Sequence, residues 1–136
     1  MEDVVIDTNV FVAACFNRES ASARVLMEVR DGRIRLVWNE PTRRETEMIL
    51  HRIPRLTWQS VAGLFRPDAK FSGPTDEKAF GLIGDPGDRK FVALSAAADA
   101  LLLTNDRGVL AQTTVVCVKA LTPRTFLAGK CRHPPG

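Results

Sequence analysis

Cysteine is scarce in this chain, with three residues among 136, Cys15, Cys117 and Cys131. An odd number without Cys-x-x-Cys spacing excludes a disulfide framework and a zinc knuckle. Cys15 and Cys117 stand in apolar runs and read as small core residues. Cys131 and His133 fall in a closing Gly-Lys-Cys-Arg-His-Pro-Pro-Gly, which reads as a flexible tail over residues 130–136 rather than as a metal pair. Histidine is rarer still: only His51 and His133 are present. Long hydrophobic runs are also missing. The longest, Phe91 to Leu103, is broken by Asp99 and is shorter than the roughly 20 residues of a membrane helix. The opening Met-Glu-Asp-Val-Val has acids where a signal peptide would carry a basic and then an apolar region. There is no repeat, low-complexity tract or linker. These absences predict a cytoplasmic protein with no membrane partner.

What is present is an ordinary globular composition, 45% hydrophobic and 26% charged. At 15.0 kDa it amounts to one domain, expected over residues 1–129. The net charge of +3 and pI near 9.0 lean towards polyanionic partners without establishing nucleic-acid binding.

Val4-Val5-Ile6 reads as a buried strand turning into a helix over residues 9–15. Ser20 is placed to cap a helix that Asp31-Gly32 closes. A strand over 34–38 precedes a helix over 41–53 with proline in its first turn, and a short helix over 58–65 ends at Arg66-Pro67. Residues 67–87 are rich in proline and glycine and read as an irregular connection, with room for a short strand at 69–71. Asp88 to Ala98 is a helix of small residues, Leu101 to Leu103 a strand, and Val115 to Val118 the last strand. Strands that are continuously apolar and alternate with helices predict an α/β fold: a mainly parallel sheet between two helical layers, with ligands gathering beyond the carboxyl ends of the strands.

Acids stand at those ends. Asp7 follows the first strand, Asp106 follows the strand 101–103, and Asp88 lies in the first turn of the helix leading to that strand. Each has a structural alternative. Asp7 and Asp106 are placed to cap the helices after them, and in Asp85-Pro86-Gly87-Asp88 the first acid suits an N-cap, with the second favoured by the helix dipole. In a helix over 41–53, Glu45 shares a face with Pro41, Met48, Ile49 and Arg52, taken as the inward stripe, while Glu47 lies opposite with Arg43, Leu50 and His51 and Glu40 lies nearby. An inward carboxylate is costly unless a cation meets it. Four carboxylates sharing a cleft would repel and protonate without such a cation, and oxygen-only sites hold hard divalent ions, Mg²⁺ or Mn²⁺. Such a site in a basic protein points to a phosphate ester substrate.

These segments resemble the PIN domain family of metal-dependent ribonucleases, including VapC-like toxins of bacterial toxin–antitoxin pairs, over about residues 3–127. Val-Val-Ile-Asp-Thr-Asn-Val is similar to the family's first strand and Asp-x-Asn, giving Asp7 with Asn9. Glu-Pro-Thr-Arg-Arg-Glu-Thr-Glu resembles the glutamate segment, in a register that gives Glu45. Asp-Pro-Gly-Asp-Arg-Lys-Phe-Val resembles the third acidic segment, giving Asp88 with Asp85 as the alternative, and Leu-Leu-Leu-Thr-Asn-Asp resembles the closing strand and Thr-x-Asp, giving Asp106. Residues 72–84 and those after Gly129 match no diagnostic pattern. The resemblance implies hydrolysis of RNA by metal-activated water, with Asp7, Glu45, Asp88 and Asp106 as catalytic and metal-holding residues and Asn9, Thr104, Asn105 and Asp85 supporting them. Arg43, Arg44, Arg52, Arg55, Arg89, Lys90 and Arg107 are candidates for the RNA backbone. An antitoxin partner and a homodimer are implied by the resemblance alone.

Two alternatives compete. In a haloacid-dehalogenase-like phosphatase, Asp7-Thr8-Asn9-Val10 would be the nucleophile loop and Gly84-Asp85 the late motif, but Asn9 cannot supply a proton to the leaving group. A PIN-like module that binds RNA or protein without cutting would not need the complete acidic set.

Overall fold

The computed structural model describes residues 1–132, with side chains through Gly129. Among the described residues, four strands form one sheet: β1 (Glu2–Ile6), β2 (Ile34–Leu36), β3 (Leu101–Leu103) and β4 (Ala120–Leu121). Their order is β2-β1-β3-β4 and every pairing is parallel. The helices are α1 (Thr8–Phe16), α2 (Ala21–Arg30), α3 (Glu40–Arg52), α4 (Gln59–Ala62), α5 (Pro86–Ala98), α6 (Arg107–Val115) and α7 (Pro123–Arg132).

The two faces of β1 explain why its apolar residues are continuous. Val4 and Ile6 point into one core with Phe11, Val25, Leu50 and Phe126, from α1, α2, α3 and α7. Val5 points into the other with Phe91, Val92, Leu94 and Val109, from α5 and α6. Both faces of the sheet are therefore covered, which gives three layers. The chain leaves β1 towards β2 on one side and later returns to add β3 on the other. The sheet's switch point thus lies between β1 and β3, where a crevice opens at the carboxyl ends.

Helix signals in the sequence act as expected at most ends. Ser20 Oγ accepts from the Ala23 N–H at 3.1 Å, and Gly32, at φ +77°, takes the left-handed position after α2. Asn39 and Thr42 form a reciprocal capping box at the start of α3.

Several expectations are corrected. The run Val115–Val118 is not a strand. Asp106 caps α6, which carries the chain through Val115 with Val109 and Thr113 buried one turn apart. The apolar run is then cut by a left-handed turn at Cys117, φ +61°, and pairing resumes only at Ala120. Cys117 itself is exposed rather than a core residue. The short strand at 69–71 reduces to a single bridge between Trp38 and Lys70 after a 3₁₀ turn at Pro67–Ala69.

The inward stripe of α3 is also different: it is Thr42, Thr46 and Leu50, while Pro41, Met48 and Arg52 are exposed. Threonines can line this stripe because their hydroxyls are satisfied, Thr46 Oγ1 by Thr8 Oγ1 at 2.9 Å and Thr42 Oγ1 by the Asn39 carbonyl at 3.0 Å. Helix α7 runs through Arg132, across the start of the expected tail, and His133 with the rest of that tail lies outside the described residues. The reassigned stripe makes a testable distinction. Leu50→Ala should cost about 2–5 kcal/mol in urea unfolding and Met48→Ala well under about 1 kcal/mol; equal costs would contradict this packing.

Candidate metal centre

Parallel register between β1 and β3 sets Ile6 beside Leu103, so the residues that follow, Asp7 and Thr104, leave the sheet side by side. The Asp7 N–H donates to the Leu103 carbonyl at 2.9 Å, extending the pairing by one more bond. Asp7 occupies the N-cap position of α1, yet its side chain makes no capping bond. Instead Thr104 Oγ1 donates to Asp7 Oδ2 at 2.8 Å, and Asn9 Nδ2 donates to the same oxygen at 3.2 Å. The Asp106 N–H donates back to Thr104 Oγ1 at 3.1 Å, and the Asn105 N–H donates to Asn9 Oδ1 at 3.0 Å. Thr104, with no exposed surface, thereby ties together the two loops that carry Asp7 and Asp106.

A cleft of about 310 Å³ opens here, lined by Asp7, Thr8, Asn9, Val12, Glu45, Ile49, Asp85, Gly87, Asp88, Phe91 and Asp106. All four expected acids and Asp85 line it. Asp85 and Asp106 also cap helices: Asp85 Oδ1 accepts from the Gly87 N–H at 2.8 Å, and Asp106 Oδ1 from Gly108 and Val109 at 2.8 and 3.2 Å. Glu45 reaches the cleft from the edge of the threonine stripe. Its Oε2 meets Lys90 Nζ at 3.4 Å, and its side chain is only 17% exposed. Of the residues expected to support the acids, Asn9 and Thr104 touch Asp7, whereas the Asn105 side chain turns away to donate to Ser22 Oγ. Thr8, Gly87 and Phe91 also line the cleft, though the sequence drew attention to none of them. Gly87 was visible only as part of a capping segment, and nothing local to Thr8 announces its bond to Thr46.

The basic candidates divide. Arg43 is held by Glu40 and Glu47, and Arg89 donates to the carbonyls of Ile83 and Gly81. Arg44 and Arg107 are exposed, Arg44 reaching Glu40 at 3.6 Å. His51 pairs with Glu47 on the outer face of α3, away from the cleft.

Burial and the crowding of like charges both show in the titration of the site. Burial pushes the Asp7 carboxyl up to about 6, against the hydrogen bonds from Thr104 and the backbone. Burial first, and then the carboxylates of Asp7, Asp85, Asp106 and Glu45, push Asp88 up to about 7. No hydrogen bond or ion pair reaches the Asp88 carboxylate among the described residues.

This donor set suits a hard divalent cation: it is all oxygen, without sulfur or imidazole, and negatively charged. As the side chains stand, however, no three of His, Cys, Asp and Glu among the described residues are grouped to hold a metal ion. Glu45 is engaged by Lys90, and Asp85 and Asp106 by helix N–H groups.

The fold and cleft are those of a small α/β domain with a carboxylate-lined pocket at its switch point. The chain belongs to the PIN domain family, which it matches over residues 3–108. PIN domains are generally nucleases and typically use divalent metals. No curated protein sequence matches the chain. Among solved structures, PAE2754 from Pyrobaculum aerophilum is similar at 16% identity and TM-score 0.61, covering 97% of this chain and 98% of that one. FitAcB from Neisseria gonorrhoeae is similar at 17% identity and TM-score 0.57, covering 89% and 98%. FitAB bound to the IR36 DNA fragment matches at 17% identity and TM-score 0.56, covering 88% and 94%. At these identities the likeness shows a shared fold. The family removes the phosphatase alternative, and the site agrees: Asn9 is bonded to Asp7 and Thr104, and Asp85 caps α5.

A raised acid is protonated more readily in the folded chain than in the unfolded one. That protonation favours the fold fully below the ordinary value of 3.8, and the advantage is lost as pH rises through about 6 for Asp7 and about 7 for Asp88. In chelator, Asp88→Asn should therefore stabilise the protein relative to wild type at pH 8 more than at pH 5, as read by urea unfolding. An effect equal at both pH values would contradict the raised Asp88 carboxyl.

Proposed function

We propose that this PIN domain is a divalent-metal-dependent endoribonuclease, acting as the toxin of a bacterial toxin–antitoxin pair. The observation that carries this reading is the convergence of Asp7, Glu45, Asp88 and Asp106, from four separate segments, on one cleft at the switch point of the sheet. Asp7, Glu45, Asp88 and Asp106 would hold Mg²⁺ or Mn²⁺. When bound, the ion supplies charge stabilisation at the phosphoryl group and activates the attacking water, leaving 5′-phosphate and 3′-hydroxyl ends.

The chain's own residues have distinct tasks in this reading. The Thr104 and Asn9 side chains hold Asp7 Oδ2, which fixes the orientation of the carboxylate at the cleft. Asp106 is anchored through Oδ1 to the start of α6, so Oδ2 is the oxygen available to a cation. Asp88, with no donor facing it, is the acid whose charge most needs compensation. Phe91, Val12 and Ile49 form the apolar part of the cleft wall. Arg107, at the start of α6 next to Asp106, Arg44 and Arg52 on α3, and Arg55 just after it are exposed cations suited to the RNA backbone. Of the other candidates, Arg43 and Arg89 serve mainly to hold local structure.

The toxin assignment is supported by family membership and by the sequence resemblance to VapC-like proteins. The solved relative described as FitAB bound to DNA is consistent with a nucleic-acid-binding partner, and a homodimer in the cytoplasm completes the proposal.

Purified protein should cleave a mixed RNA panel with Mg²⁺ or Mn²⁺ and lose that activity in excess chelator. Asp7→Asn and Glu45→Gln should each lower turnover by about 100-fold or more while the circular dichroism spectrum stays unchanged. Full cleavage in chelator, or by the Glu45→Gln protein, would overturn the mechanism; metal-dependent RNA binding without turnover would favour a silent binding module.

A further inference from the structure

Among the described residues, Lys90 is the only cation paired with a carboxylate of the cleft. Arg89, its neighbour on α5, is turned to the Gly81 and Ile83 carbonyls, and Arg43 on α3 is held by Glu40 and Glu47. The Lys90 side chain is 22% exposed and that of Glu45 17%, so the pair is screened from solvent more than an ordinary surface ion pair. Its partner is also seated from the other side. A Cβ added to Gly87 would stand 2.8 Å from Glu45 Oε1 and 3.3 Å from Asp85 Oδ1. The absence of a side chain at Gly87 leaves the space that Glu45 Oε1 occupies against the first turn of α5. One oxygen rests over Gly87 and the other meets the lysine.

We propose that Lys90 is a resident counter-cation of the cleft, which holds Glu45 Oε2 and competes with a divalent ion for it. This rests on the metal-holding role of the acids proposed above and adds a positioning residue to it. The physical basis is repulsion between like charges. A dication at the Glu45 carboxylate stands beside the ammonium that already meets Oε2, in a partly desolvated site where the two cations oppose each other. Entry of the ion therefore weakens the hold of Lys90 on Glu45. Its grip compensates the acids before that and lowers the apparent affinity for the ion.

The experiment is Mn²⁺ titration of the full chain at pH 8, read by the free-ion electron paramagnetic resonance signal and by the thermal midpoint in chelator. Lys90→Met keeps the length and removes the charge. It should bind Mn²⁺ about 5-fold more tightly than wild type, as expected for release of one partly exposed ion pair, and melt at a lower temperature in chelator. In a Glu45→Gln background the same substitution should change Mn²⁺ affinity by less than about 2-fold, because the pair is already broken. Lys90→Gln provides the same comparison if the methionine variant does not fold. Unchanged or weaker Mn²⁺ binding by the neutral variants overturns the role of Lys90, and so does an effect that persists in full without Glu45. If wild type itself takes up no Mn²⁺, the metal-holding reading of the cleft falls as well.

Discussion

Like charges brought together at the end of a parallel sheet are the constraint around which this domain is organised. The register of β1 against β3 leaves no freedom in where Asp7 and Thr104 emerge, and α3 and α5 deliver Glu45, Asp85 and Asp88 to the same cleft. Burial, and then repulsion from these groups, pushes the Asp88 carboxyl up to about 7. A fold whose only purpose was stability would gain by replacing several of them. Their convergence is a feature that calls for a cation, and it separates a functional reading from one in which each acid merely caps a helix.

The capping reading is nevertheless partly right, and that overlap has a physical use. Asp85 and Asp106 do accept bonds from the first turns of α5 and α6. Two helix N-termini, with their positive dipole ends, thus point at the cleft and reduce the cost of holding negative charge there. Asp7 is different. It sits at a cap position without capping, and its bonds run across the sheet to Thr104 and within the loop to Asn9. The acids are accordingly held in different ways: Asp7 by a buried hydroxyl, Glu45 by a lysine.

Much of this was legible from residue patterns. Continuous apolar strands, Ser20, Asp31-Gly32 and Asp85-Pro86 marked the architecture and several helix ends, because those signals are local. Asp7, Asp88 and Asp106 were recognisable by their positions after strands or at a helix start, and Glu45 through the register of the family resemblance. What escaped depended on contacts between distant residues. The stripe of α3 contains two threonines whose burial is affordable only because Thr8 and Asn39 satisfy them, and no periodicity of apolar residues reveals that. Glu45 was placed inward for a face that proves largely exposed, and it reaches the cleft from the border of the true stripe. The run Val115–Val118 has strand composition, yet the cap at Asp106 and the left-handed turn at Cys117 divide it between a helix end and a loop. Gly87 matters through the approach of Glu45, forty-two positions earlier in the chain, and short-range spacing carries no trace of it.

The central claim is that carboxylates from four segments serve one divalent ion. Anomalous diffraction from crystals grown with Mn²⁺ tests it directly. The account predicts a manganese peak inside the cleft, at about 2.1 Å from oxygens of Asp7 and of at least two among Glu45, Asp88 and Asp106. Manganese bound only elsewhere on the protein, or a cleft that stays free of it at saturating concentration, would contradict the account.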